Sequence, residues 1–418
     1  MLFRFSLYGF LKNQRYFEPF LVLVFLDRGC SYFLIGWLVA VRELAVNLLE
    51  VPSGAFADQC GRRRAMLLSF AAYIASFLTF ALTRQIWPLF PAMLLYAVGE
   101  AFRTGTHKAI IFSWLRREGR EAERTRVYGY TRSFSKLGSA LSALLAALLV
   151  IWSGRFRDVF LFATVPYVMN MLNLLSYPKD LDLARSPEAR SGVWRHLGAT
   201  LQHSLKRPGL RRLMLESMGF EGTFHAIKDY LQPVLMVLAI TRLTDLPGVL
   251  DDSDARQTAV LLGPVYIALF LLSSLASRQA HRVVGWAGGE AAAARLCLWS
   301  GAACFALMLP CAWFGWLLPV VLCFVLLHAL QNVWRPILIS RFDSHGDECQ
   351  GATLLSVESQ SRRVATLLLA PLVGWLVDLV REGGPGGSFW PVAAVGLLVT
   401  SALLIRSRSA AAPAAEVW

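Results

Sequence analysis

The sequence predicts an all-α integral membrane protein with twelve transmembrane helices in two six-helix halves. Hydrophobic residues make up 56% of its 418 positions, and the mean hydropathy is +0.50. The apolar runs reach the roughly 20 residues an α-helix needs to cross a bilayer. One long polar tract, 179–209, divides them into two sets. The formal charge of +13 would also fit a nucleic-acid binder. The basic residues, however, fall mostly in short loops beside apolar runs, where the orientation bias of Lys and Arg explains them. No nucleic-acid partner is expected.

The first run, Met1 to Arg28, has the hydropathy of a signal peptide, but Lys12, Arg15 and Glu18 interrupt it and no small-residue cleavage site follows. It reads as an uncleaved first span. Spans are expected near 5–27, 31–57, 65–83, 88–114, 128–152 and 158–178, which makes residues 1–178 an N-terminal bundle. Residues 179–209 turn polar and form a cytoplasmic linker. Six further spans near 210–241, 257–277, 291–312, 316–341, 352–380 and 389–406 make a second bundle over 210–406, followed by a cytoplasmic tail, 407–418. The loops expected outside carry only Arg28, Arg84, Arg155, Arg157, Arg242 and Arg381. Those expected inside carry Arg62 to Arg64, Arg116, Arg117, Arg120, Arg124, Arg126, the linker cluster, Arg278, Arg282, Arg341, Arg406 and Arg408. Both termini are therefore read as cytoplasmic, in a multi-pass protein of a bacterial inner membrane. Seven cysteines, an odd number without a CxxC pair and mostly inside apolar runs, indicate neither disulfides nor a metal site.

Between the second and third spans lies Gly54-Ala55-Phe56-Ala57-Asp58-Gln59-Cys60-Gly61-Arg62-Arg63-Arg64, which reads as a cytoplasmic hinge loop. Gly54 would let two helices approach closely, Gly61 would permit a turn, Asp58 would face the positive end of a neighbouring helix, and the three arginines would hold the loop inside. The spacing of Gly54, Asp58, Gly61 and the following arginines resembles the signature loop of the major facilitator superfamily. Gln59 stands where that family usually has a basic residue. The resemblance implies a secondary transporter that alternates between inward-open and outward-open states, with the loop, and Glu50 one turn before it, latching one state.

Two pairs of segments look like internal copies. Arg15 to Leu21 lines up with Asp229 to Leu235, with Pro19 and Pro233 in register 214 residues apart, and Arg132 to Lys136 lines up with Glu358 to Arg362. Parallel repeats of this kind build the two halves of many transporters.

Ionisable side chains in hydrocarbon cost roughly 2.5–3.5 kcal/mol each at a helix centre, so they are expected to face one another or water. The first span holds Lys12, Asn13, Arg15 and Glu18. The fourth holds Glu100, Arg103, His107 and Lys108, of which the first three share one helical face. The seventh holds Glu221, His225, Lys228 and Asp229, and the tenth His328, Gln331, Asn332 and Arg335. The resemblance implies that these four spans line a central cavity, where a small-molecule substrate would bind at the midplane. The same charges also fit buried salt bridges that lock helices together. Arg42, Glu43, Asn47 and Glu50 in the second span, with Glu358, Arg362 and Arg363 in the eleventh, read as structural or gating residues. Glu18, Glu100, Glu221 and His225 are the first candidates for carrying a coupling proton, opposed by their neighbours Arg15, Arg103 and Lys228.

Other signals are negative or partial. No GxxxxGK[ST] loop points to ATP, and no paired-histidine spacing or GxSxG turn points to an enzyme. Gly138 to Ala143 does not match the antiporter motif of drug exporters. Pro371, Gly374 and Asp378 follow a pattern frequent in the superfamily. The expected function is a secondary active transporter, working as a monomer in the lipid bilayer, that moves a small organic solute with protons. Export of amphiphilic compounds is the first reading and import of a small polar or anionic solute the alternative. A membrane enzyme or transporter-like receptor is the alternative from another class. No catalytic residue, metal or cofactor is expected.

Overall fold

The computed structural model describes residues 1–120, 123–178, 206–243, 254–344, 351–382 and 387–409. Most of the expected linker and tail lies outside these residues. The described residues form helices α1 (Leu2–Lys12), α2 (Leu21–Leu26), α3 (Tyr32–Cys60), α4 (Arg62–Leu82), α5 (Leu89–Arg103), α6 (Thr106–Arg117), α7 (Arg124–Ser153) and α8 (Asp158–Leu175). There follow α9 (Pro208–Glu216), α10 (Gly222–Ile227), α11 (Leu231–Leu243), α12 (Asp254–Ala287), α13 (Glu290–Trp313), α14 (Leu317–Asp343), α15 (Gly351–Glu382) and α16 (Trp390–Ser409). Eight of them, α3, α4, α7, α8 and α12 to α15, are long and apolar enough to cross a membrane.

The first, fourth and seventh expected spans are not single helices, and each break has a local cause. α1 ends at Lys12, and the chain resumes through a 3₁₀ turn, Glu18–Phe20, in which Pro19 offers no N–H. α5 and α6 are separated by Thr104, in extended conformation, and Gly105 at φ +76°, a left-handed value that favours glycine. Between α9 and α10 lies a π turn, Ser217–Glu221, and between α10 and α11 a 3₁₀ turn, Lys228–Tyr230. The two 3₁₀ turns occupy corresponding places in the copied segments.

The expected hinge loop is corrected by the structure. α3 runs through Gly54 and Asp58 to Cys60, and the turn to α4 is Gly61 alone, at φ +104°. A helix leaving the bilayer remains a helix, so polar composition marks the end of the span rather than of the helix. A Cβ at Gly54 would meet open space, so no close approach requires that glycine. Asp58 lies 3.7 Å from Arg62 Nε. Arg62 donates to the Ala109 carbonyl (3.1 Å) and Ser113 Oγ (2.5 Å), and Arg63 donates to the carbonyls of Leu174 and Leu175 at the end of α8. A guanidinium on the last carbonyls of a helix satisfies acceptors that have no intrahelical partner. Just outside the spans, Arg120 donates twice to Glu123, and these bonds hold its carboxyl below the usual range.

The chain divides into two compact units. The first comprises the described parts of Met1–Cys30, Val41–Val193 and Ala239–Ile267, and the second those of Ser31–Ala40, Trp194–Leu238 and Ala268–Trp418. In the first, α4 packs on α5 and α8, and α1 on α7 and α8. Small and hydroxylic residues allow this: Gly99 lies flat on the Tyr73 ring, where a Cβ would come within 2.7 Å, and Ser69 and Ser76 donate to the carbonyls of Gly99 and Ala92. In the second, α13 packs on α14 and α16, around a core that includes Trp334, Phe220, Leu338 and Phe342.

The start of α3 belongs to the second unit. Its first N–H groups, of Tyr32 and Phe33, donate to the Asp378 carboxylate at 3.0 and 2.7 Å, so α15 supplies the cap that α3 lacks. Gly374, one turn earlier, leaves room for this approach: a Cβ there would meet the Tyr32 carbonyl carbon at 2.6 Å. Asp378→Ala is expected to cost about 1–2 kcal/mol, as loss of a good N-cap does. Asp378→Asn, which keeps an acceptor, should cost less than half of that. Melting of the purified variants in detergent reads both, and an unchanged alanine variant would show that the cap contributes nothing.

Candidate functional site

Each unit holds its own polar cluster. In the first, the break after α1 exposes backbone and side chains that neighbouring helices satisfy. Gln14 Nε2 donates to the Gly138 carbonyl (3.2 Å) on α7, the Tyr167 hydroxyl donates to the Lys12 carbonyl (3.3 Å), and Asn170 and Asn173 on α8 donate to the carbonyls of Tyr8 and Arg4. Asn13 donates back to Gly9 of its own helix, so it serves the break.

Around this break lie Lys12, Arg15 and Arg103. Arg103 Nε donates to the Tyr73 hydroxyl at 3.2 Å. Arg15 lies 3.9 Å from Glu18, a long pair, and its Nε is buried with no hydrogen-bond partner. Lys12 has no ion pair among the described residues. Its ammonium sits 6.0 Å from the Tyr8 ring centroid, and the charges that act on it are those of Arg103 and Arg15, both of its own sign. Glu100 acts on Arg103 and on Arg42, which also binds Glu43 at 2.7 Å. Lys12, Arg15, Arg42 and Arg103 thus face Glu18, Glu43 and Glu100, and the unmatched charge is that of Lys12. His107 is stacked on Tyr8 at 3.6 Å, and since the Tyr177 hydroxyl donates to the Arg4 carbonyl, His107 Nε2–H donates to Tyr177 (3.1 Å). Lys108, expected in the same group, lies elsewhere, between the rings of Phe112 and Tyr128 at 5.4 Å from each. The break at Gly105 ends the shared face that the spacing implied.

The second cluster is tighter. The π turn carries Glu221 into the interior, where it has no exposed surface. Arg335 Nη1 donates to Glu221 Oε2 (2.7 Å) and to Glu358 Oε1 (2.8 Å), and its Nη2 donates to Glu358 Oε2 (3.1 Å). Ser217 Oγ donates to Glu358 Oε1 at 2.5 Å. Arg362 Nε lies 3.6 Å from Glu221 Oε2, and its Nη1 donates to His225 Nε2 at 2.7 Å, which makes that nitrogen the acceptor of a neutral ring. Glu221 Oε1 is buried with no hydrogen-bond partner. Two guanidiniums therefore balance two carboxylates. Lys228 and Asp229 pair with each other at 2.8 Å, and Asn332 donates back to His328 of its own helix. Glu358, Arg362 and Ser217 are members of the cluster that sequence reasoning assigned to gating or missed. The aromatic wall of the first cluster was likewise missed, although tyrosines at positions 73, 96 and 167 inside apolar spans were a visible signal.

The profile described as Major Facilitator Superfamily matches residues 10–347, most of the chain. The chain belongs to the major facilitator superfamily. It is accordingly an MFS-type transporter and not an enzyme. A curated relative, an uncharacterized MFS-type transporter YxaM of Bacillus subtilis (strain 168), is 26% identical over 161 residues, which span 38% of this chain and 36% of that protein. The chain thus matches about a third of the length of that relative. Among solved structures, a point mutant of the nucleoside transporter NupG superposes with a TM-score of 0.79 at 12% identity, covering 98% of this chain and 99% of that one. A POT family transporter in complex with a thioalcohol-conjugated peptide gives 0.69 at 15% identity, covering 98% and 96%. At these identities the likeness is one of fold.

Proposed function

We propose that the chain is a secondary transporter that carries a small organic anion together with a proton by alternating access. The observation that carries this reading is the balanced cluster at Glu221. With both carboxylates ionised, Arg335 and Arg362 are neutralised. One proton on Glu221 leaves a positive surplus, and an anion entering the site restores the balance. Proton and anion then favour each other's binding, which is the requirement for symport. The unmatched Lys12 of the first unit supports the same solute class and disfavours lipophilic cations. In a bacterial inner membrane, with both termini inside, the proton gradient would drive uptake, so import of an anionic solute is preferred to export of amphiphiles. The Gly61 corner, fixed by Asp58, Arg62 and Arg63 beside the exposed Arg64, would serve as the rigid latch, with Glu50 one turn before Gly54.

Purified protein in liposomes, supplied with benzoate, benzyl alcohol or benzyltrimethylammonium, tests the assignment. Only benzoate should accumulate, and only under an inward proton gradient. Lys12→Gln is expected to weaken benzoate uptake about 10- to 100-fold, the worth of a hydrogen bond to a charged group, while Lys12→Arg retains most of it. Equal transport of the ammonium compound would refute the anion assignment.

A further inference from the structure

We infer that the second unit binds one anionic phospholipid in a site built by the start of α9 and the end of α16, apart from both polar clusters. A cavity of about 430 Å³ lies between these helices, lined by Pro208, Arg211, Arg212, Glu216, Leu403 and Arg406 among others. Its single carboxylate, Glu216, is already engaged on both oxygens: Arg212 Nε donates to Oε1 at 2.9 Å and Arg341 Nη1 to Oε2 at 2.5 Å. Four guanidiniums thus surround one carboxylate. Arg211, on the first turn of α9, is exposed. A surplus of this kind at the edge of a membrane span attracts an anionic head group.

A second cavity, of about 360 Å³, adjoins the first. Leu403 borders one and Leu404 the other, so consecutive residues of α16 separate them. This second cavity is apolar. Ala302, Ala303 and Ala306 of α13 leave a groove against Leu397, Leu404 and Ile405 of α16. It opens outward, since Trp299 on its wall is 49% exposed and Ile405 is 69% exposed. A cationic basin continuous with an apolar groove on the outside of a helix pair has the two chemistries of a phospholipid, phosphate and acyl chain. Soluble phosphate would use only the first, and a zwitterionic lipid brings its own ammonium into the basin.

The test uses the full-length protein purified in detergent. Native mass spectrometry in an equimolar mixture of phosphatidylglycerol and phosphatidylcholine should show one phosphatidylglycerol retained in preference to phosphatidylcholine. Added phosphatidylglycerol should also raise the melting temperature, while glycerol phosphate should not. Arg211→Gln with Arg406→Gln should abolish both effects, the lysine replacements at the same positions should keep them, and Ala303→Phe, which fills the groove, should reduce them. Equal retention of the two lipids would overturn the proposal, as would a full melting shift with glycerol phosphate alone, which would mark a soluble-anion site. Because no variant is needed for the competition experiment, a poorly folding glutamine pair leaves it decisive. Transport plays no part in either readout, so this proposal stands or falls separately from the proposed function.

Discussion

Replacing Glu221 by glutamine is expected to abolish accumulation driven by an inward proton gradient while leaving exchange of labelled for unlabelled anion largely intact. Glutamine keeps the size of the side chain and an oxygen for Arg335, which donates to Glu221 Oε2 at 2.7 Å. What it removes is the ability to change charge. The cluster then carries a permanent positive surplus, so anion binding no longer depends on a proton, and a gradient of protons cannot be converted into a gradient of solute. Glutamine at Glu358 should behave differently. That carboxylate receives two bonds from Arg335 and one from Ser217, so its first role is to hold Arg335 in place. Its variant should lose both accumulation and exchange. A Glu221→Gln protein that still concentrates solute in response to the proton gradient would remove Glu221 from the coupling mechanism.

Arg335→Met is expected to destabilise the second unit severely, by about 3–5 kcal/mol, because removing one partner strands buried charges. Glu221 and Glu358 have 0% and 1% of their surface exposed, and Arg335 is the group that bridges them. Arg362 would remain near Glu221 at 3.6 Å, too far to replace the lost bonds without moving. Adding Glu358→Gln to Arg335→Met should restore part of the loss, since only one charge then needs the remaining arginine. The measurement is the melting temperature of the three proteins in the same detergent. A single variant that melts with the wild type would show that water, and not Arg335, satisfies the two carboxylates.

The sequence made the polar clusters visible because ionisable residues inside apolar runs are conspicuous, and Glu221, His225, Arg335, Arg15 and Arg103 all take part in them. Contacts between elements were harder to read. Arg335 and Glu358 lie on α14 and α15, and nothing in their spacing says that these two helices turn them toward each other. Helical periodicity also assumes an unbroken helix. It grouped Lys108 with Glu100 and Arg103, whereas Gly105 interrupts the helix and sends Lys108 to Phe112 and Tyr128. The stretch from Gly54 to Arg64 was read as a loop because it is polar, yet polarity there records only where the chain leaves hydrocarbon. Asp378 was noted as part of a sequence pattern, but its partner, the start of α3, lies 346 positions from it in the chain.

The most direct test of the coupling is proton uptake on binding. Purified protein in weakly buffered detergent solution, with a pH-indicator dye present, is mixed with benzoate, and the proton count is compared with the amount of benzoate bound. The account predicts close to one proton taken up per anion for the wild type and none for Glu221→Gln. Benzoate binding with no proton taken up at any pH, or the same uptake in Glu221→Gln, would contradict it.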